Sequence, residues 1–332
     1  MMSGLFACSN NGGDVDESTT EYTTLNYTYP GTIEVPVTGD EVVGDTHTET
    51  QPVSNPLRPD IESHINAATT VAYETQTKPK VEETKAPEVQ KNVSVTIPAG
   101  ATMVDVFAIL DANGVASFSS LMNTAQNFDF TYYPLIADQK PSKRAFKLEG
   151  YLRPGTYNFK ENSKPEDAIG KLLRSMESGL PASTRKTIAN KGYTADDIMT
   201  IASIIQMECS NTADMTRVSA VIHNRIAQGM KLELPSTIAY INTAVKPYLL
   251  TEDPAVLNQY DAHYDTTVCA ALPAGPICSP SSDAITAAIN PAGVDYLYFC
   301  VDGEGKYYYA STLEEHEQNL VAAGLVQPEL PE

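Results

Sequence analysis

One carboxylic acid stands out because of its position relative to a predicted helix. Thr194 and Asp197 have the spacing of a capping box, which begins a helix. Apolar residues then recur every three or four positions, and Glu208 follows on the same face or at its edge. A carboxyl group there is expected to be partly desolvated, which raises its pKa and suits a general acid. Periodicity alone leaves open the alternative that Glu208 ends the helix at a solvated boundary.

A second amphipathic helix is predicted directly after the first. Its buried face is formed by Val218, Val221, Ile222 and Ile226. Asn224 and Arg225 lie near its end, and their spacing assigns them no chemistry, so we expect hydrogen-bonded structural roles. The scattered His and Cys residues do not have the spacing of a zinc site, and neither a metal ion nor a cofactor is expected.

The composition is acidic, and the charge is unevenly distributed. The 332 residues include 22 Lys+Arg and 42 Asp+Glu, for a net charge of -20. Residues 9–90 hold 15 of the acidic and 4 of the basic residues and show no sustained apolar period, which predicts a disordered acidic linker. As a random coil that linker spans on the order of 50 Å. The negative charge argues against nucleic acid as a partner and against a polybasic membrane contact. No apolar run is long enough to predict a transmembrane helix.

The first eight residues resemble a bacterial lipobox. Residues 5–8 read Leu-Phe-Ala-Cys, and a polar stretch follows at once. Cleavage before Cys8 would let it carry lipid, so we expect a protein anchored at the extracytoplasmic face of the cell membrane. The segment lacks a basic region and a full apolar region before it, and a chance cysteine is the alternative.

A small α+β module is predicted after the linker. Residues 93–97 alternate like a strand, and Thr102 with Asp105 begins a helix. A second helix is expected near residues 118–127, and residues 154–159 read as a turn and a returning strand. This order resembles a LysM-like fold, a module often used on N-acetylated glycans. A purely structural module is the alternative.

Several short runs, in order along the chain, resemble the motifs of a known family. Residues 148–157 look like LEGYLFPDTY, residues 202–208 like ASI(I/V)xKE, residues 220–232 like NRL…GMxL, and residues 272–278 like GLPPGPI. The ordered set, from about residue 148 to 319, is similar to the MltG/YceG-like endolytic murein transglycosylases. We therefore expect an α+β chain with a lipobox remnant (1–8), a linker (9–90), a LysM-like module (91–147) and a YceG-like catalytic domain (148–327).

The resemblance implies a lyase that cleaves the MurNAc–GlcNAc β-1,4 bond of peptidoglycan without water and leaves 1,6-anhydroMurNAc ends. Glu208 occupies the position of the family's catalytic glutamate, which acts first as acid and then as base. The residues carried over as substrate-binding or supporting are Glu149, Tyr151, Asn224, Arg225, Thr237, Tyr240, Tyr264, Asp265, Pro273, Gly275, Pro276 and Ile277. Tyr264 and the 273–277 loop are expected to form the cleft wall, and each supporting residue could equally serve the fold alone. Glycan strands and, beside them, peptidoglycan synthases are the expected partners.

Some positions depart from the family pattern. Pro235 replaces an Asp of LQSDPTV, Asp265 an Asn of YNTY, Ser279 an Asn, Tyr307 the His of GxHxFS, and Ala310 its Ser. These departures keep two alternatives open, a catalytically impaired peptidoglycan-binding lipoprotein and a purely structural lipoprotein scaffold. Asp265 also raises the alternative of a hydrolase, which needs a second carboxylate.

Overall fold

The computed structural model describes residues 91–209, 211–249, 253–268 and 271–326. The predicted lipobox with Cys8 and the predicted linker at 9–90 lie outside the described residues. Within the described ranges, helices predominate and the strands form two antiparallel pairs, as expected for an α+β chain. No helix in these ranges is both long enough and apolar enough to span a membrane.

The strands and helices are defined by the following bounds. They are β1 (Asn92–Ile97), α1 (Met103–Ala112), α2 (Phe118–Asn127), α3 (Pro134–Ala137), β2 (Gly155–Lys160), α4 (Pro165–Gly179), α5 (Ala182–Asn190), α6 (Ala195–Glu208), α7 (Thr212–Ala227), α8 (Pro235–Tyr240), α9 (Pro254–Leu257), α10 (Asp261–Tyr264), α11 (Ser282–Ile289), β3 (Tyr298–Val301), β4 (Tyr307–Ala310) and α12 (Leu313–Ala322). A π-helical turn (Ile241–Val245) and two 3₁₀ turns (Lys246–Tyr248 and Asn258–Tyr260) complete them.

The predicted strand, two helices and returning strand of the small module are present. β1 pairs with β2 so that Val95 lies opposite Tyr157. α1 begins at the predicted capping box, in which the Asp105 carboxylate accepts from the Thr102 backbone N–H at 2.9 Å. α3 is an additional helix of one turn. Because β2 follows residue 148, the sheet of the module uses chain on both sides of the predicted boundary.

Helix α6 is the most deeply buried helix that bears on the site. It begins at the predicted capping box of Thr194 and Asp197, and ten of its 14 residues are buried. The buried surface of α6 is therefore wider than the predicted apolar stripe. α6 packs against α7, α8 and α11, so that Met199 and Thr200 are buried as well as the residues of the stripe. A helix covered on several sides needs no polar face.

Near the C-terminal end of the described residues, two strands form a β-hairpin. β3 pairs with β4, with Phe299 opposite Tyr309. In the turn, the Asp302 carboxylate accepts from the backbone N–H of Glu304 and of Lys306, each at 2.9 Å. α12 follows and packs against both strands.

Candidate active site

Glu208 is the last residue of α6, and its side chain is half-buried. Burial disfavours the carboxylate and raises the pKa of Glu208 above its ordinary value. The C-terminal end of a helix carries partial negative charge, which acts in the same direction. The hydroxyl and the backbone N–H of Ser236 face the carboxyl group and partly offset this rise in its pKa. Glu208 therefore keeps its proton to a higher pH than a solvated glutamate does.

Tyr307 holds the main chain at Glu208. Its hydroxyl donates to the Glu208 carbonyl oxygen at 2.5 Å, from β4. Two strand positions further on, the Tyr309 hydroxyl donates to the Asp214 carboxylate at 2.8 Å, in the first turn of α7. The hairpin thus fixes both the end of α6 and the start of α7. Cys209 is buried beside them, and burial raises the pKa of its thiol.

The segment that carries Ser236 is held by Thr266. The Thr266 carbonyl accepts from the Glu233 N–H at 3.1 Å, and its hydroxyl accepts from the Leu234 N–H at 2.8 Å. Glu233 has a φ of +56°, a left-handed conformation that turns the chain toward α8. Thr237 is fully buried and donates to the Leu234 carbonyl at 2.9 Å. Thr237 therefore supports the segment and does not face a ligand.

Asn224 and Arg225 tie α7 to the chain before β3. The Asn224 amide donates to the carbonyls of Val294 and Tyr296, at 3.0 and 2.9 Å. Arg225 is 2% exposed. Its guanidinium donates to the carbonyls of Lys231, Leu232 and Leu297 and to the Glu233 carboxylate, and it lies over the Tyr298 ring. These contacts join α7 to neighbouring segments of the chain, so they are structural.

Glu149 lies in the core and is 1% exposed. Its two oxygens accept from the backbone N–H of Met103, the first residue of α1, at 3.0 and 3.1 Å. The Gly150 N–H and the Tyr240 side chain add further contacts that favour the anion. Burial outweighs them and raises the pKa of Glu149 to about 8. Glu149 thus secures the start of α1 against the core.

The 273–277 loop runs alongside α6. The Ile277 N–H donates to the Ser203 hydroxyl at 3.0 Å. A Cβ built on Gly150 would lie 2.4 Å from the Cβ of Pro276, so the two segments touch where no side chain fits. Pro276 and Ile277 are buried in these contacts. They hold the loop in place and offer no open face to a sugar.

A groove of about 420 Å³ lies beside the N-terminal half of α6. Its lining includes Lys140, Tyr193, Asp196, Asp197, Thr200 and Pro273. Tyr151 holds one of these lining residues, because its hydroxyl donates to the Asp196 carboxylate at 2.6 Å. Arg144 Nη2 donates to the same carboxylate at 2.7 Å. Along the helix axis, these lining residues of α6 precede Glu208 by about 12–18 Å.

The expectation that Tyr264 forms a cleft wall is wrong for this structure, because its ring is fully buried. The Tyr264 hydroxyl accepts from the Ala145 N–H at 3.3 Å, and its ring packs against Tyr240 at a centroid distance of 5.5 Å. The Asp265 carboxylate accepts from the N–H and hydroxyl of Thr267 at 2.9 and 2.6 Å. It closes its own turn, and these contacts do not direct it to a second catalytic position.

Comparison with known proteins connects this arrangement to a family. The model of the YceG-like family matches residues 59–322, most of the chain. The chain belongs to the YceG-like family. This YceG-like chain is also 25% identical to a putative yceG-like protein from Listeria monocytogenes whose crystal structure is solved. The two structures match with a TM-score of 0.58, over 68% of this chain and 75% of that one.

Two curated relatives are named endolytic murein transglycosylase. The relative from Streptococcus pneumoniae strain D39 is 35% identical over 193 residues, which make up 57% of this chain and 35% of that protein. The relative from Bacillus subtilis strain 168 is 30% identical over 172 residues, 52% of this chain and 46% of that protein. The aligned part of the YceG-like chain thus spans between a third and a half of these relatives' length.

Folding brings Tyr307 and Ser236 close to Glu208, and the sequence signals for these two residues differ in strength. In the sequence, Tyr307 stands out only as a departure from the family pattern, and Ser236 does not stand out. The one available signal for Ser236 is Pro235, which suits the first turn of a helix and so places the next residue at a helix start. Of the predicted supporting residues, all but Asn224 and Asp265 are buried. Within the described ranges, no three His, Cys, Asp or Glu side chains are grouped to hold a metal ion.

Proposed function

We propose that this chain is an endolytic lytic transglycosylase that cleaves the MurNAc–GlcNAc β-1,4 bond of peptidoglycan. Membership of the YceG-like family and the names of its relatives support the class of activity. The observation that carries the proposal is the environment of Glu208, a half-buried carboxyl group at a helix end with a raised pKa. A general acid must hold its proton near the pH at which it acts.

In the proposed reaction, Glu208 first donates its proton to the glycosidic oxygen as the bond breaks. Positive charge then develops at C1 of the MurNAc ring in an oxocarbenium-like state. The emptied carboxylate next accepts the proton of the sugar's own C6 hydroxyl, whose oxygen bonds to C1 and closes the 1,6-anhydro ring. No water is consumed, and Glu208 ends with the proton it began with. One carboxyl group therefore suffices.

We further propose that the chain acts at the extracytoplasmic face of the membrane, with Cys8 lipid-anchored and residues 9–90 serving as a spacer. In the same proposal, the α+β module that begins at β1 is LysM-like and contacts glycan, and peptidoglycan synthases work nearby. Mass spectrometry of the protein purified from its native membrane checks the anchor. An unmodified Cys8 in protein released to the medium would contradict it.

Digestion of intact peptidoglycan by the full chain tests the activity. We expect muropeptides with 1,6-anhydro ends, measured by liquid chromatography with mass spectrometry, and their loss in Glu208→Gln. Glu317→Gln is the matched control, because Glu317 is an exposed residue of α12. New reducing ends would instead indicate a hydrolase. Binding to peptidoglycan without products would indicate the impaired binding lipoprotein, which the departures at Pro235, Asp265 and Tyr307 favour.

A further inference from the structure

We infer that Tyr307 and Ser236 act together as positioning residues for Glu208. Tyr307 holds the main chain at Glu208, and the buried Ser236 hydroxyl stabilises the carboxylate that remains when Glu208 gives up its proton. The inference rests on the proposed function, because it concerns the same proton. Neither residue is expected to touch the glycan bond, so they act through Glu208.

Tyr307 supplies a hydrogen-bond donor to the last carbonyl group of α6, which has no partner within the helix. The last carbonyl groups of an α-helix have no partner within the helix, so the end of α6 is free to shift unless something else holds it. The Tyr307 hydroxyl donates to the Glu208 carbonyl oxygen at 2.5 Å. The ring is fixed in turn, since it stacks on Tyr309 with an interplanar angle of 15° and also packs against Phe299. The backbone from which the Glu208 side chain projects is therefore tied to the hairpin.

Ser236 approaches the carboxyl group from the opposite element. It is the second residue of α8, it is 4% exposed, and α8 packs against α6. Its hydroxyl makes no regular hydrogen bond within the described part of the chain, yet it lies near enough to the Glu208 carboxyl group to favour the anion. Hydrogen bonds of a catalytic site often reach their full geometry only when substrate is bound. Ser236 is thus placed to stabilise the anion that remains once Glu208 has given up its proton.

The two contacts divide the task of holding one carboxyl group through two proton transfers. Glu208 must reach the glycosidic oxygen and afterwards the C6 hydroxyl without turning away between the steps. Small misplacements of a reacting group cost large factors in rate. The Tyr307 contact limits movement of the Glu208 main chain. The Ser236 hydroxyl, which is buried on the helix that packs against α6, adjusts the proton affinity of the carboxyl group.

The test for Tyr307 compares two neighbouring tyrosines of β4. Tyr307→Phe removes the hydroxyl that holds Glu208, whereas in Tyr308→Phe the lost hydroxyl contacts the Asp302 carboxylate in the hairpin turn. We expect kcat on purified glycan strands to fall about tenfold in Tyr307→Phe, with KM unchanged, and to be unaffected in Tyr308→Phe. Thermal unfolding of both variants is recorded beside the kinetics. Equal kcat values for the two variants would overturn the role of Tyr307.

The test for Ser236 reads the proton affinity of Glu208 directly. The Glu208 carboxyl carbon is titrated by ¹³C NMR in the full chain, with Glu208→Gln used to assign its signal. We expect Ser236→Ala to raise the pKa of Glu208 by about one unit, and Ser236→Thr to restore it. In the kinetics, the alkaline limb of the pH profile should move up by the same amount. An unchanged titration would overturn the role of Ser236.

The two proposals fail in different ways. If wild type makes no anhydro ends, the proposed function is refuted, while the titration still decides whether Ser236 sets the proton affinity of Glu208. If wild type makes them and Glu208→Gln does not, but Tyr307→Phe and Ser236→Ala behave as wild type, the proposed function stands and the inference is refuted.

Discussion

Replacing Arg225 by methionine should destabilise the chain strongly, because the residue is buried and joins several backbone groups. Three main-chain carbonyls, those of Lys231, Leu232 and Leu297, accept from its guanidinium at distances of 2.6 to 3.1 Å. Methionine has a similar length but no donor, so these carbonyls lose their partner. A buried acceptor left without a partner costs about 1–3 kcal/mol. With partial relaxation and entry of water, we expect a total loss of about 3–5 kcal/mol of unfolding free energy.

The matched control for this experiment lies on the same helix. Arg217 of α7 pairs with Asp214 at 3.3 Å, but half of its side chain is exposed. Arg217→Met should therefore cost no more than about 1 kcal/mol. Urea and thermal denaturation of both variants give the comparison, and a domain of this size should show a Tm about 10 °C lower in Arg225→Met. A loss in Arg225→Met no larger than that in Arg217→Met would refute the structural role assigned to Arg225.

Two further predictions concern Glu149 and its neighbour. Because the pKa of Glu149 is raised to about 8 in the folded chain, the folded chain keeps a proton that the unfolded chain releases near its ordinary value of 4.5. The contribution of Glu149 to the free energy of unfolding is thus greatest at low pH and should fall by about 1.4 kcal/mol per pH unit from about pH 5 to 8. In Glu149→Gln, denaturation curves recorded across this range should lack that slope. An identical slope in the variant would contradict this. Gly150→Ala should cost more than about 2 kcal/mol, since its φ is +84° and the new Cβ meets Pro276. Gly114→Ala, at φ +67° in open space, should cost less, and equal losses would refute the steric reason.

The departures from the family pattern have specific places in the fold. Tyr307 bonds to the carbonyl of Glu208, Pro235 begins α8, and Asp265 closes a turn with Thr267. Tyr307 thus contacts the proposed proton donor and Pro235 directly precedes Ser236, whereas the hydrogen bonds of Asp265 are local. A changed residue in a site can thus alter how the donor is held and still leave the donor present. Kinetics of Tyr307→Phe will show how much turnover depends on it.

Local patterns predicted the elements well where neighbouring residues decide the structure. The capping boxes at Thr102 and Thr194 form as expected, and α2 has the predicted bounds. The hairpin turn at Asp302 forms because its side chain satisfies nearby backbone N–H groups. Burial around α6 was underestimated, because periodicity describes one face of a helix and cannot count the elements that cover the others.

By itself, the sequence determined β1, α1, α2, β2, α6 and α7, because capping and periodicity are properties of residues close together in the chain, and the order of its motifs led to the choice of Glu208. Only the tertiary structure decided which groups surround that carboxyl group. Ser236 and Tyr307 lie 28 and 99 residues after Glu208, and folding brings them to it through α8 and β4. Tertiary packing also buries Tyr264 in the core, where the sequence predicted a cleft wall. The environment of a buried proton depends on contacts between distant segments, and no local pattern encodes those contacts.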